Sequence, residues 1–320
     1  MKLLRFATVV LLFGLAPVAQ AAFPDKPIKI IVGFPPGGPL DTHARLLIDQ
    51  LQKSLGQPVI IDYKPGAGGS IGADFVIKSP ADGYTLLMAN TGTMVINPFV
   101  YAKNAYVTLR DFTPIARTAQ QPLALVVNND VPVKTFAEFI DYAKKNPGKV
   151  NYGSAGNGGI SHLVPEMLAL ATGIEMVHVP YKGTAPAFTD LLAGQVQFMA
   201  ESIPQVTQYL KAGKVRALAM TGKERNAAIP DVPTMAESGV KNFEVVGFYG
   251  VLAPAKLAAD VIAKLNDAFR KTLAADDVKT RMVQQGADPA FLDSAQFTQF
   301  LQSEGVRWGD AVKKAGVKLD

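Results

Sequence analysis

A chain of 320 residues without a single cysteine has no disulfide, thiolate nucleophile, thiolate metal site or lipidated N-terminal cysteine open to it. With 48% apolar residues it is not a disordered polymer, and its length suffices for one large or two medium domains. The formal charge of +5 is spread thinly, without the basic runs of a nucleic-acid-binding chain, so no nucleic-acid partner is expected.

Lys2 and Arg5 precede the apolar run Phe6 to Leu15, and Ala19-Gln20-Ala21 follows with small residues. This is the pattern of a signal peptide cleaved after Ala21, with an apolar stretch too short to span a membrane. Removing the two basic residues leaves the exported chain at +3. The expected location is the periplasm.

From Lys26 to about Leu218, short apolar runs alternate with helical periodicity, which predicts an α/β fold with mostly parallel sheets. Strands are predicted at Ile28–Val32, Val59–Asp62, Thr85–Ala89, Ala124–Val127, Val150–Tyr152, Met176–Val179, Val196–Met199 and Val215–Met220. Thr135-Phe136-Ala137-Glu138 reads as a capping box opening a helix through Lys145. Thr184 is expected to cap a helix that closes at Gly194, and the C-terminal third carries the stripes Val261/Leu265/Phe269/Leu273 and Phe297/Leu301/Trp308/Val312. Two extended segments, Pro122–Asn128 and Phe243–Leu252, are read as strands crossing between two lobes. That gives domain I as 22–122 plus 247–320 and domain II as 123–246.

Two glycine-rich turns dominate the chemistry. Phe34-Pro35-Pro36-Gly37-Gly38-Pro39-Leu40-Asp41 follows the first strand, and Gly153-Ser154-Ala155-Gly156-Asn157-Gly158-Gly159-Ile160-Ser161-His162 follows another more than a hundred residues later. Each opens a helix, where exposed N–H groups and the helix dipole favour an anion. Neither turn contains Lys or Arg. Facing each other, they would clamp a small anion between lobes, beyond the carboxyl ends of the strands. Valine at Gly37, Gly38 or Gly158 is expected to block that approach without unfolding the chain.

Other readings are weaker. Ser154 and His162 suggest a hydrolase, but no G-x-S-x-G elbow surrounds the serine and the histidine lies in the same turn. Neither nucleotide-binding glycine motif occurs in the turns. No cofactor and no metal are expected. Asp41 reads as a carboxylate fixing its own loop, His43 and His178 as structural, and Phe248-Tyr249 and Phe99/Tyr101 as core or hinge.

The segments FPPGGPLDTHARLL, KPGAGGSIGADFV, DGYTLLMAN, YGSAGNGGISHL, VPYKGTAPAFTDLLAGQV, IPDVPTMAESG and WGDAVKKAGVKLD stand in an order that resembles the Bug or TctC receptors of tripartite tricarboxylate transporters. The resemblance runs from about Pro24 to the C-terminus. It implies a two-lobed periplasmic-binding-protein fold, the Venus flytrap of type II-like topology, and a monomeric receptor rather than an enzyme. It also implies a small organic carboxylate as ligand and the transporter's membrane subunits as partners. Alternative readings are a ligand-binding bait for a sensor kinase ectodomain and an exported hydrolase.

Carried over by position, the resemblance places ligand contacts at Phe34, Gly37, Gly38, Asp41, Gly68, Gly69, Asn90 and Thr91 in domain I. In domain II it places them at Ser154, Gly156, Asn157, Gly158, Ser161 and His162. This chain departs from the family at Gly159, where Ser or Thr is common, and at Ala200, where an acid is frequent and here comes one residue later as Glu201. Glu201 is the candidate selectivity residue. The expectation is that it points to solvent, leaving an almost uncharged cleft for a C4–C6 dicarboxylate or an aromatic carboxylate; facing the cleft and ionised, it would instead repel a second carboxylate and favour an ammonium, a hydroxyl or a neutral ring.

Overall fold

A computed structural model describes residues 23–285 and 287–318, so the predicted signal peptide lies outside the described residues. In chain order, β1 (Ile28–Val32) leads through the first glycine turn into α1 (Pro39–Leu55), and β2 (Val59–Tyr63) leads into α2 (Ser70–Ile77). Next, β3 (Thr85–Asn90) runs into a π-type turn (Gly92–Ile96) continued by α3 (Asn97–Val100) and then α4 (Thr108–Asp111). After β4 (Phe112–Asn128) come α5 (Phe136–Lys145), β5 (Val150–Ser154), α6 (Ile160–Thr172), β6 (Met176–Pro180) and α7 (Thr184–Leu192). The chain ends with β7 (Phe198–Ser202), α8 (Ile203–Lys211), β8 (Val215–Met220), β9 (Val246–Pro254), α9 (Ala259–Ala274), α10 (Asp276–Gln284), β10 (Asp288–Leu292) and α11 (Ser294–Ala315).

The strand order is β2-β1-β3-β9-β4-β7-β5-β6, with β8 and β10 also paired to β4. β1 is parallel to β2 and β3, and β5 is parallel to β6 and β7. A strand buried on both faces needs a nearly continuous apolar run, and β1 supplies one with Ile28, Ile30, Ile31 and Val32 all buried.

β4 organises the molecule. Its first part, Phe112 to Pro122, pairs with β9, while Leu123 to Asn128 pairs with β7 and β8. One 17-residue strand therefore belongs to two sheets. The chain returns at the same point. Thr221 N–H donates to Leu123 O and Val245 N–H to Thr221 O, at 2.9 and 3.0 Å. The predicted return strand differs: only Val246 to Pro254 is strand, and it pairs with β3 and β4 alone. Gly239 and Asn242, both at positive φ, break the approach to it.

One core cluster serves both sheets and includes Phe198, Phe248, Phe297 and Trp308, so α11 packs across the junction. A second cluster lies under α1 and α9, and a third under α7 and α8. Both C-terminal stripes are buried as predicted. The capping box is half formed: Thr135 accepts the Glu138 N–H, but the Glu138 carboxylate takes the N–H of Lys134.

The backbone of α2 lies directly on the end of β1. A Cβ on Gly72 would sit 2.8 Å from the Gly33 Cα, and one on Gly33 would sit 2.7 Å from the Gly69 Cα. Backbone cannot give way as a side chain does. Gly72→Ala is therefore expected to cost about 1–3 kcal/mol, the usual range for overpacking. An unchanged urea midpoint would mean that the helix moves aside freely.

Candidate functional site

The two glycine turns share one backbone conformation at their glycine pairs. In the first, Gly37 has φ +83° and the helix cap Gly38 has φ −78° and ψ 173°. In the second, Gly158 has φ +74° and the cap Gly159 has φ −78° and ψ 170°. The first glycine of each pair needs the left-handed region, and the second does not.

Each turn is locked by the third residue of its helix. Asp41 Oδ2 accepts the Gly37 N–H at 2.7 Å, and His162 Nδ1 accepts the Gly158 N–H at 3.0 Å. Asp41 also accepts from Arg45 Nε at 2.9 Å and from the Tyr63 hydroxyl at 2.7 Å. Burial alone would raise the Asp41 carboxyl. The bonds from Gly37, Tyr63 and Arg45 overcome it and hold the group below the ordinary carboxylate range. The capping role read for Asp41 is the one observed.

These locks commit the N–H groups of Gly37 and Gly158 to the loops themselves. The Gly156 N–H is likewise held by Ser154 Oγ at 3.2 Å, and the Ala155 N–H by Ser161 Oγ at 3.1 Å. The N–H groups of Gly38, Leu40 and Asp41, and those of Gly159, Ile160 and Ser161, have no partner among the described residues. They are the orphan donors of two helix N-termini. Asn157 is exposed at the tip of its turn.

The remaining domain I residues gather at the same strand ends. Asn90 Oδ1 accepts the Thr93 N–H at 2.9 Å, and Thr93 Oγ1 and Asn97 Nδ2 donate to the Gly68 carbonyl at 3.1 and 3.0 Å. A Cβ on Gly69 would meet Thr93 Oγ1 at 2.5 Å and the Phe34 ring at 3.0 Å. Thr91 Oγ1 accepts the Phe248 N–H at 2.8 Å. The second turn arrives from the other sheet. A Cβ on Gly247 would lie 3.4 Å from Ile160 Cδ1 and 3.6 Å from Thr91 Oγ1.

The imidazoles of His162 and His178 stack face to face, 3.8 Å between centroids and 7° from parallel, with Tyr152 4.9 Å from His178. Ser154 Oγ lies 2.6 Å from His178 Nε2, so the serine pairs with His178 and not with His162. Burial and then the neighbouring imidazole push His178 down to about 3, and burial lowers His162 against the opposing charge of Glu166. No carboxylate bonds to His178 among the described residues, so the pair lacks the orienting acid of a hydrolytic triad. His43, buried, holds Thr118 Oγ1 at 2.8 Å and is pushed down to about 3 by burial. Among the described residues no His, Asp and Glu cluster could hold a metal ion.

Glu201 is a correction. It does not point to solvent. β7 runs three residues further than predicted, so Glu201 lies within the strand at 6% exposure. Its Oε2 accepts from Thr184 Oγ1 at 3.1 Å and its Oε1 from the Ser202 N–H at 2.8 Å. Burial pushes its carboxyl up, with these two bonds and a further one from the Ser202 side chain opposing. Thr184 consequently does not cap α7, whose cap is Gly183. Gln121, buried on β4 where it leaves the first sheet, was not singled out in the sequence, and Tyr249, read as core or hinge, is buried in the core under α1 and α9. Alternation along β4 and β9 could have put both on one face.

A cavity of about 470 Å³ lies elsewhere, between the π-type turn and α11. Its lining is mostly apolar and Asp310 is its one charged residue, so it offers an anion nothing.

A family model, the tripartite tricarboxylate transporter family receptor (TctC), matches residues 43–317. Protein BugT of Bordetella pertussis is 37% identical over 305 residues, covering 95% of this chain and 94% of its own. Among solved structures, an R. palustris protein with adipate is 33% identical with a TM-score of 0.87, covering 92% of this chain and 99% of its own. MatC from Rhodopseudomonas palustris with bound malate is 34% identical with a TM-score of 0.81, covering 91% of this chain and all (100%) of its own. The chain belongs to the TctC receptor family of periplasmic solute-binding proteins.

Proposed function

We propose that this receptor captures a small organic carboxylate between two lobes and delivers it to a membrane permease of the tripartite tricarboxylate type. The lobes are 22–122 with 247–320, and 123–246, and the mature chain begins after Ala21 in the periplasm. One observation carries the reading: two helix N-termini from different sheets bring unpartnered N–H groups to a common junction. A carboxylate accepts several such bonds at once, and charge-assisted bonds are roughly twice as strong as neutral ones. Phe34, Gly68 and Gly69, with Asn90 and Thr91, close one side of this cradle, while Asn157 and Ser161 stand on the other. The relatives' adipate and malate, both small dicarboxylates, support the ligand class.

Purified mature protein is expected to melt at higher temperature with some member of a carboxylate panel. Ligand at a hundred times its Kd stabilises by about 2.7 kcal/mol. A panel that never shifts the melting temperature, together with measurable hydrolytic turnover, would overturn the receptor reading. Loss of uptake on gene deletion, with permease expression held constant, tests delivery.

A further inference from the structure

Glu201 stands where the second glycine turn meets the crossing strand. Gly153 of β5 is in register with Met199 of β7, so two residues further on Ala155, the start of the turn, comes level with Glu201. The Gly183 N–H donates to the Ala155 carbonyl at 3.1 Å, which brings the next residue, Thr184, onto Glu201 Oε2. Across the sheet Glu201 faces Ala124 of β4, three residues beyond Gln121. Gln121 and Tyr249 are 6% and 5% exposed, and the Gln121 amide turns toward the Tyr249 phenol, which feels the charge of Glu201.

We infer that Glu201, with Gln121 and Tyr249, forms the selective end of the ligand site and that the ligand presents a hydrogen-bond donor there, a hydroxyl or an ammonium, rather than a second bare carboxylate. The inference rests on the receptor reading above. A carboxylate has about four lone-pair positions. Thr184 and the Ser202 N–H fill one on each oxygen and the Ser202 side chain a third, which leaves one open, and no Lys or Arg pairs with Glu201 among the described residues. A buried carboxylate with acceptor capacity left over and no cation is costly until something donates to it. A ligand hydroxyl or ammonium does so, and a ligand carboxylate adds like charge in a site that screens it poorly. Gln121 and Tyr249 carry the neutral donors and acceptors that orient such a group.

The test titrates the intact mature protein and Glu201→Gln with succinate, adipate, malate and aspartate. The parent is expected to prefer malate or aspartate over the two plain diacids by at least tenfold. In Glu201→Gln, that preference is expected to shrink to within about threefold, with the diacids gaining. Malate alone losing its advantage identifies a hydroxyl as the donor, and aspartate alone an ammonium. Plain diacids that bind the parent as tightly as malate and aspartate overturn this inference and leave the receptor reading standing. Binding of none of the four by the parent overturns this inference as well, while the receptor reading is decided by the wider carboxylate panel. Because the parent's own preference decides the matter, the inference stays falsifiable even if the variant folds poorly.

Discussion

Gly38→Val is expected to fold as the parent does and to bind its carboxylate about 30-fold more weakly, or worse. The cap Gly38 has φ −78° and ψ 173°, extended backbone that a β-branched residue adopts without strain. A Cβ there would meet nothing closer than the Pro35 carbonyl at 3.5 Å, an ordinary contact. Neither local conformation nor packing calls for glycine at this position. What the added side chain would cover is the cluster of unpartnered N–H groups on Gly38, Leu40 and Asp41. Losing such charge-assisted bonds costs about 2 kcal/mol or more, roughly a factor of 30 in Kd. Gly37→Val gives the contrast. Its φ of +83° and its N–H bond to Asp41 mean that any side chain strains the turn, so stability is expected to fall along with affinity. Melting curves and ligand titrations on both variants separate the two glycines. If Gly38→Val binds normally, the carboxylate does not sit on this turn.

How far the site was legible follows from what each residue answers to locally. The glycine turns could be read because a strand, a Gly pair and a helix are signalled within a dozen residues. Asp41 could be read as a cap because a carboxylate three residues into a helix serves the first turn whatever surrounds it. The equivalent lock by His162 could not be read, since an imidazole reaches back the same way only once Gly158 adopts a positive φ. The first part of β4 was missed because Arg117-Thr118-Ala119-Gln120-Gln121 reads as polar. Its burial depends on β9 and β10, which come more than a hundred residues later. β10 was missed because Asp288-Pro289 opens it, an unfavourable start that a strand at the sheet's edge tolerates. Glu201 went astray through a strand boundary. Ending β7 at Met199 put the acid in a loop, whereas three more residues of strand bury it. In the strand misses the deciding partner is distant in sequence, whereas for His162 it is the local backbone conformation of Gly158.

Acidification is expected to unfold this protein from one side of neutrality, through its histidines. All three are held neutral: burial pushes His43 and His178 down to about 3 and lowers His162 from its ordinary value. His162 is neutral for a geometric reason too, because its Nδ1 accepts the Gly158 N–H and must carry no proton. A native pKa below the unfolded value near 6.5 means that the unfolded chain takes up protons first as pH falls. The stability these groups contribute is therefore complete above about pH 6.5 and drains away from there toward pH 3. For His43 and His178 together the loss between pH 7.5 and 5.5 is about 3 kcal/mol, at 1.36 kcal/mol for each tenfold change per group. His162 adds to this, moderated by Glu166 on its own helix. Protonating His162 also turns a donor toward the Gly158 N–H, which opens the lock on the second turn, so ligand affinity is expected to fall with stability. His162→Asn separates the two effects. The amide oxygen can take the Gly158 N–H as Asp41 takes that of Gly37, but it does not titrate. That variant is expected to hold its ligand to lower pH than the parent, while His43 and His178 still make its stability acid-sensitive. Urea midpoints that stay level from pH 7.5 to 5.5 would show that these imidazoles titrate in the native state as they do in the unfolded chain.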